Sequence, residues 1–141
     1  MKIYLAASVS DDKRIDVTTA AEILRAKGHE VYVPIEHQID HAWEYPNNEW
    51  GLMVFQSDIS AIKDSDIVVL LSYGRDSTAG ANWEAGYAFG IGKKVIVVEM
   101  TNKPMSLMVA NGRYATVRGL DGLSDYSFKE MYKRRTTTEQ K

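Results

Sequence analysis

The sequence predicts an α/β fold: a single doubly wound domain with a five-stranded, mostly parallel sheet of order 2-1-3-4-5, flanked by helices. Two observations lead to this prediction. Strand-like and helix-like segments alternate along the chain, as they do in successive βαβ units. In addition, Ile67–Leu71 and Val95–Val98 are unbroken apolar runs, which are typical of parallel strands covered on both faces.

The first half of the chain predicts two strands and two helices. The first strand is Lys2–Ala7, and a helix capped by Asp11 or Asp12 then runs to about Lys27, where Gly28 follows as a C-cap. The second strand, Glu30–Pro34, is closed by its proline. Residues 35–50 show no period and form the longest irregular segment, which in a compact domain is usually functional. The second helix is predicted over Trp50–Ile62.

The second half of the chain predicts three further strands and three further helices. The strands are Asp66–Leu71, Lys94–Met100 and Arg113–Val117. The helices are Asn82–Ile91, a short one over Pro104–Ala110, and a closing one over Ser124–Lys133. We therefore expect one domain over residues 1–133, followed by a polar, disordered tail over residues 134–141.

Composition excludes several classes of function. The chain has 141 residues, of which 45% are apolar, but no apolar run approaches the length needed to cross a bilayer. Its N-terminal apolar segment is short for a secretory signal and suits a first strand. It has no cysteine, hence no disulfide or thiolate chemistry, and a net charge of −2 offers no positive field to nucleic acid. We expect a cytoplasmic protein that binds neither nucleic-acid polymers nor membranes and acts on a small molecule.

In the predicted sheet, the strand order reverses between strands 1 and 3, and ligands bind at such a switch point. The loops there are Ala6–Ser10 and Tyr73–Asn82. Neither contains the GxGxxG or GxxxxGK[ST] pattern that binds nucleotide phosphates, so we expect no cofactor. His29, His37 and His41 have no ligand-like spacing with carboxylates, and we expect no metal.

Four side chains are expected to converge on this crevice: Tyr4, Asp58, Asp76 and Glu84. Glu84 is predicted in the first turn of its helix, where backbone N–H groups keep a carboxylate ionised. An ionised carboxylate can act as nucleophile, and a second carboxyl group can give a proton to the leaving group. The alternative interpretations are a favourable dipole partner (Glu84), a core aromatic (Tyr4), a solvated helix residue (Asp58) and a turn residue (Asp76).

Three segments carry a family resemblance: YLAAS near the N-terminus, then SDISAIKDSDIVV, then GANWEAGYAFGIGKKVIVV. In this order and spacing the chain resembles the nucleoside 2-deoxyribosyltransferases and the related deoxynucleoside 5′-monophosphate N-glycosidases. The most specific piece runs from Gly80 to Ala88 and is followed by Gly92-Lys93. The resemblance covers about residues 2–117.

The resemblance implies roles for three residues. Glu84 matches the family nucleophile, which attacks the anomeric carbon of a 2′-deoxyribonucleoside and holds the sugar covalently. Tyr4 matches the tyrosine that positions this glutamate, and Asp58 matches the aspartate where the departing base takes a proton. A second base, or water, then accepts the sugar. The implied activity is transfer of 2′-deoxyribose between nucleobases without a cofactor.

The expected substrate-binding residues are Ser8, Asp76, Thr78, Gly80, Ser106 and Met108. Thr78 departs from the family, whose members commonly carry an aspartate there, and Asp76 fills that role only if the loop bulges differently. Ser106 stands where transferases tend to carry an asparagine that reaches a neighbouring subunit's sugar, and where the glycosidases tend to carry a phosphate-contacting serine. The resemblance also implies a homo-oligomer in which the Ser106 region contributes to a neighbouring site. Met108 can line a pocket or fill the core.

Three functions remain open on the sequence. Deoxyribosyl transfer is favoured; hydrolysis of a deoxynucleoside 5′-monophosphate and a non-catalytic nucleotide-sensing module are the alternatives. Asp11 and Asp12 disfavour a bound phosphate, although Ser8 and Ser10 can donate hydrogen bonds to one. We expect the loop Ile35–Asn48 to set the base preference, because its aromatic residues can stack on a base. The same residues can equally pack the loop or a subunit contact.

Overall fold

The computed structural model of the chain describes residues 1–8, 10–76, 79–129 and 131. The strands are β1 (Lys2–Ala6), β2 (Glu30–Tyr32), β3 (Ile67–Ser72), β4 (Lys94–Glu99) and β5 (Ala115–Arg118). The α-helices are α1 (Arg14–Ala26), α2 (Asn47–Asp64), α3 (Ala79–Gly90), α4 (Leu107–Gly112) and α5 (Gly119–Asp125). Short 3-10 turns lie at Asp11–Lys13, Pro34–Glu36, Ala42–Glu44 and Gly74–Asp76.

The five strands form one parallel sheet in the order β2-β1-β3-β4-β5, which confirms the predicted fold class. All of β3 and the four central residues of β4 are buried, because helices cover both faces of the sheet. Since the strands are parallel, their carboxyl ends lie along one edge. The order reverses between β1 and β3, which places the crevice for a ligand at that point.

Alternate residues of β1 point to opposite faces of the sheet. Ile3 and Leu5 belong to the core layer under α1 and α5. Tyr4 and Ala6 belong to the second core layer, under α2 and α3. The alternation of the first strand therefore directs the Tyr4 ring toward the helices that carry Asp58 and Glu84.

The start of α3 differs from the prediction and changes the setting of Glu84. The helix begins at Ala79 rather than at Asn82, so Glu84 is its sixth residue and the prediction of a first-turn position is wrong. The sequence before Asn82 predicts a loop because it contains glycine and other small residues. In the structure, Ala81 packs on the sheet and the helix already includes it.

Other boundaries shift by a few residues. Helix α2 begins at Asn47 rather than Trp50, and two 3-10 turns divide the segment predicted to be irregular. Ser124 and Asp125, the first two residues of the predicted closing helix Ser124–Lys133, belong instead to α5, which ends before the extended residue Tyr126. Residues 130, 132 and 133 of that predicted helix lie outside the described residues. The predicted tail over residues 134–141 lies outside the described residues. Within the described ranges, no helix is both long and apolar enough to span a membrane.

Candidate active site

The carboxyl of Glu84 lies against the hydroxyl of Tyr4. Tyr4 is fully buried in β1, and its hydroxyl donates a hydrogen bond to Glu84 Oε2. Helix α3 can lie this close to the sheet because the residues that it buries are small, namely Ala81, Ala85 and Ala88. Glu84 projects from the flank of the helix next to this alanine stripe, over the end of the Tyr4 side chain.

Burial dominates the electrostatics of Glu84. The pKa of Glu84 is raised to about 7: removal from water raises it, the hydrogen bond from Tyr4 opposes the rise, and the charge of Asp58 adds to it. The expectation that a helix start keeps this carboxyl ionised is therefore wrong, since Glu84 lies in the second turn and burial raises its pKa. Near neutral pH the side chain is poised between its two protonation states.

Asp58 belongs to the same electrostatic cluster. It projects from α2 and is half-buried, and burial raises its pKa, while an electrostatic interaction with His37 has the opposite effect. Burial raises the pKa of the Tyr4 hydroxyl, and the charges of Glu84 and then of Asp58 raise it as well. The structure thus brings Tyr4, Asp58 and Glu84 together, as the sequence predicts.

Ser8 is near this crevice but faces the other core layer. It follows β1, is buried, and its hydroxyl lies 2.8 Å from the Ser10 hydroxyl. With Leu5 and Val17 it lines a cavity of about 20 Å³ on the α1 side of the sheet. A substrate contact by Ser8 stays a prediction.

The loop after β3 contains three of the other predicted binding residues. Asp76 ends the 3-10 turn that follows β3, at the carboxyl edge of the sheet. Thr78 lies outside the described residues. Gly80 is exposed in the first turn of α3, and a Cβ atom there would meet no described atom within 4 Å. Packing against the described residues therefore does not require a glycine at position 80.

Ser106 and Met108 lie on the opposite side of α3 from Glu84. They line a cavity of about 360 Å³ whose wall on α3 includes Asn82 and Phe89. On α3, Asn82 and Phe89 lie on nearly the opposite side of the helix axis from Glu84. Within one chain, the structure does not bring Ser106 and Met108 to the crevice of Glu84.

Sequence reasoning missed one residue of the crevice, Tyr32, and named its neighbour His37 only as part of the loop Ile35–Asn48 that is expected to set the base preference. Tyr32 is the register partner of Tyr4 on the neighbouring strand, and their rings stack with centroids 5.6 Å apart. The His37 ring stacks on Tyr32 at 4.1 Å. The predicted order 2-1-3 already placed strand 2 beside strand 1, so pairing the two tyrosines in register could have found Tyr32.

The arrangement can perform displacement at an electrophilic carbon. One carboxyl group is held in place by a phenol, and a second carboxyl group with a raised pKa lies in the same crevice. A nucleophile and a proton donor of this kind are the two components of glycosidic bond cleavage with retention. In the described part of the chain, no group of three or more His, Asp or Glu side chains is arranged to hold a metal.

Comparison with known proteins gives one family. The family model described as nucleoside 2-deoxyribosyltransferase matches residues 3–124. A nucleoside deoxyribosyltransferase of Lactobacillus leichmannii is 30% identical over 108 residues, which cover 70% of this chain and 68% of that protein.

Solved structures agree with this match. The 2-deoxyribosyltransferase of Bacillus psychrosaccharolyticus superimposes with a TM-score of 0.85 at 29% identity, over 93% of this chain and 96% of its own. A CMP N-glycosidase of Clostridium botulinum, at 18% identity, shares the fold with a TM-score of 0.59 over 99% of both chains. The chain therefore belongs to the nucleoside 2-deoxyribosyltransferase family and is an enzyme of that family.

Proposed function

We propose that the chain transfers 2′-deoxyribose between nucleobases by cleaving the N-glycosidic bond of a 2′-deoxyribonucleoside, through a covalent glycosyl–Glu84 intermediate. The observation that carries this proposal is the hydrogen bond from Tyr4 to Glu84 in a crevice that also holds Asp58. The activity named for the transferase relatives supports the same proposal.

In the first step, ionised Glu84 attacks C1′ of the sugar. The bond from C1′ to the base nitrogen breaks, its electron pair leaves with the base, and Asp58 gives the base a proton. Tyr4 keeps the attacking carboxylate in one orientation. The step requires an ionised Glu84 and a protonated Asp58. Burial raises the pKa of both carboxyl groups, and the hydrogen bond from Tyr4 is the contact that favours the ionised form of Glu84.

In the second step, a nitrogen of the incoming base attacks C1′ of the glycosyl ester. The bond from C1′ to Glu84 breaks, and the Asp58 carboxylate accepts the proton that the base loses. Both carboxyl groups return to their initial states. Water in place of the second base would give hydrolysis instead of transfer.

Incubation with deoxyinosine and free adenine tests the activity. We expect deoxyadenosine and hypoxanthine as products, which chromatography measures over time. Glu84→Gln keeps the shape of the side chain but removes the nucleophile and should abolish exchange, whereas Glu22→Gln, at an exposed position of α1, should not change it. Absence of exchange with every pair of bases tried would contradict the proposal.

The covalent intermediate has its own test. The protein is mixed with deoxyinosine alone, quenched in acid and weighed intact by mass spectrometry. We expect a mass increase of one deoxyribosyl group, located on the peptide of Glu84 after digestion and absent from Glu84→Gln. Exchange without any such adduct, even at the shortest quench times, would favour direct displacement by the second base.

Hydrolysis of deoxynucleoside 5′-monophosphates is the second candidate, and it depends on Ser106. In the structure this serine caps α4, because its Oγ accepts a hydrogen bond from the Val109 N–H at 3.2 Å. The cap accounts for a serine at this position without a phosphate, so transfer is better supported. Base release from deoxyinosine monophosphate but not from deoxyinosine would reverse this preference.

We also propose that the chain forms a homo-oligomer in which the segment of Ser106 and Met108 completes a neighbouring site. Leu107 and Met108 are 77% and 81% exposed, and such adjacent apolar side chains often mark an interaction surface. Light scattering after size-exclusion chromatography should give a mass above that of one chain. Met108→Asp should lower both the mass and the activity; a wild-type protein that is active as a monomer would contradict the proposal.

A further inference from the structure

The phenol of Tyr32 lies beside that of Tyr4 and has no role in the steps above. In the parallel pairing of β1 with β2, Tyr32 is the partner of Tyr4. Register partners on neighbouring strands leave the sheet on the same face. The two rings are nearly parallel, with an angle of 13° between their planes. The second phenol therefore stands next to the first, one strand farther along the sheet.

The Tyr32 hydroxyl is a hydrogen-bond donor to which the described residues offer no acceptor. Burial and the negative charges of Asp58 and then Glu84 raise the pKa of Tyr32, so its hydroxyl keeps its proton at neutral pH. The Tyr4 hydroxyl is occupied by Glu84. In contrast, the Tyr32 hydroxyl makes no hydrogen bond to any described residue.

The ring of Tyr32 is held on both sides. Tyr4 stacks on one face, and His37 stacks on the other with a 4.1 Å centroid distance and an angle of 4°. A clamped aromatic ring loses little conformational freedom when its hydroxyl binds a ligand. This arrangement suits a contact made to a substrate more than a surface aromatic residue.

We propose that Tyr32 contacts the substrate in the proposed transfer: its hydroxyl donates a hydrogen bond to an acceptor atom of the nucleobase, and His37 clamps its ring. The inference rests on the proposed function. The base, rather than the sugar, is the partner because Tyr32 lies one strand beyond Tyr4, whose hydroxyl binds Glu84, the residue to which the sugar becomes attached in the proposed first step. The edge of a nucleobase carries hydrogen-bond acceptors next to N–H groups. A hydroxyl donor next to a carboxyl group is complementary to such an edge.

Tyr32→Phe tests the contact, because it removes the hydroxyl and keeps the stacked ring. We expect the dissociation constants of free hypoxanthine and free adenine, measured by calorimetry, to rise about threefold to tenfold, with a similar rise in KM for the acceptor base. Tyr114→Phe is the matched control. It removes a hydroxyl that binds the Met131 carbonyl at 2.8 Å on the other core layer, and it should leave base affinity unchanged.

The outcomes separate this inference from the proposed function. If the wild type exchanges bases and Tyr32→Phe binds them unchanged, the inference is wrong and the function stands. If Tyr32→Phe lowers kcat but not base affinity, the phenol acts on the carboxyl groups and the inference is again wrong. If the wild type binds free bases but neither exchanges bases between nucleosides nor releases a base from a nucleoside, and Tyr32→Phe weakens binding, the contact stands and the function is wrong.

Two variants of His37 test the clamp. His37→Ala removes the outer ring and should weaken base binding about threefold, because the Tyr32 ring gains freedom. His37→Phe restores an aromatic ring without the imidazole nitrogens and should return the affinity to within about twofold of the wild type. Unchanged affinity in His37→Ala would overturn the clamp, as would a His37→Phe variant as weak as His37→Ala.

Discussion

The hydroxyl of Tyr4, in the middle of β1, donates a hydrogen bond to the carboxyl of Glu84 on α3, 80 residues farther along the chain. This bond joins a central strand to a covering helix beside the point where the strand order reverses. Burial raises the pKa of Glu84 to about 7, and the bond opposes that rise. The proportion of ionised Glu84 at neutral pH therefore depends on one phenol.

Tyr4→Phe should shift the pH profile of the reaction. Without the hydroxyl, the pKa of Glu84 rises above its wild-type value of about 7, so the acidic limb of kcat/KM should move to higher pH. At neutral pH we expect a loss of about tenfold to a hundredfold, the usual range for a hydrogen bond to a charged group. Kinetics across the pH range check this, with Tyr114→Phe as control. An acidic limb that stays in place would show that Tyr4 does not tune Glu84.

Glu84→Gln should make the protein more stable at alkaline pH. The pKa of Glu84 rises from 4.5 to about 7 on folding, so between these values the folded state holds a proton that the unfolded state has released. Stability therefore falls as pH rises through this window. A glutamine stays neutral, so its advantage should reach about 3 kcal/mol above the folded pKa.

Urea unfolding at an acidic and an alkaline pH measures this difference. The advantage of Glu84→Gln should shrink toward the ordinary glutamate pKa of 4.5, because both states are then protonated. Glu22→Gln, at an exposed position, should show no such trend. An advantage that is equal at both pH values would point to packing rather than to charge.

Asp58→Asn should slow the reaction more for a substrate whose leaving group must be protonated than for one whose leaving group departs as an anion. With a deoxynucleoside we expect a loss of about a hundredfold or more, the usual contribution of a general acid. With 4-nitrophenyl 2-deoxyriboside, whose leaving group departs as an anion, the loss should be small. Asp64→Asn on the same helix is the control, since Asp64 is exposed and binds Lys2 Nζ at 3.1 Å. Equal losses with both substrates would remove proton transfer from the role of Asp58.

Gly74→Ala should destabilise the loop that follows β3. Gly74 has a φ of 70°, and a Cβ atom there would lie 2.8 Å from the Lys103 Cβ and 3.0 Å from the Lys103 carbonyl oxygen. We expect a loss of at least about 2 kcal/mol from strain and overlap together. Gly28→Ala shares the positive φ but meets nothing within 4 Å, so it should cost only about 1 kcal/mol. Equal losses on urea unfolding would mean that the close approach is harmless.

Much of the site was predictable because its pattern is local. The family resemblance rests on short segments in a set order, and these name Tyr4, Asp58 and Glu84, which the structure brings together. The prediction that Glu84 lies in the first helical turn was wrong. Helix α3 begins earlier than predicted, at Ala79, and already includes Ala81, which packs on the sheet. The sides on which Ser8 and Ser106 lie were not predictable either, because they depend on how strands and helices pack.

The parallel sheet, its strand order and the family follow from the sequence alone. They do so because apolar runs, and their alternation with helical segments, are patterns among residues that are close in the chain. Packing in three dimensions decides the chemistry of the crevice. The raised pKa of Glu84 comes mainly from burial, and the position of the Tyr32 phenol beside Tyr4 comes from the register of the two strands. Both depend on contacts between residues that are far apart in the chain, and such contacts leave no local pattern.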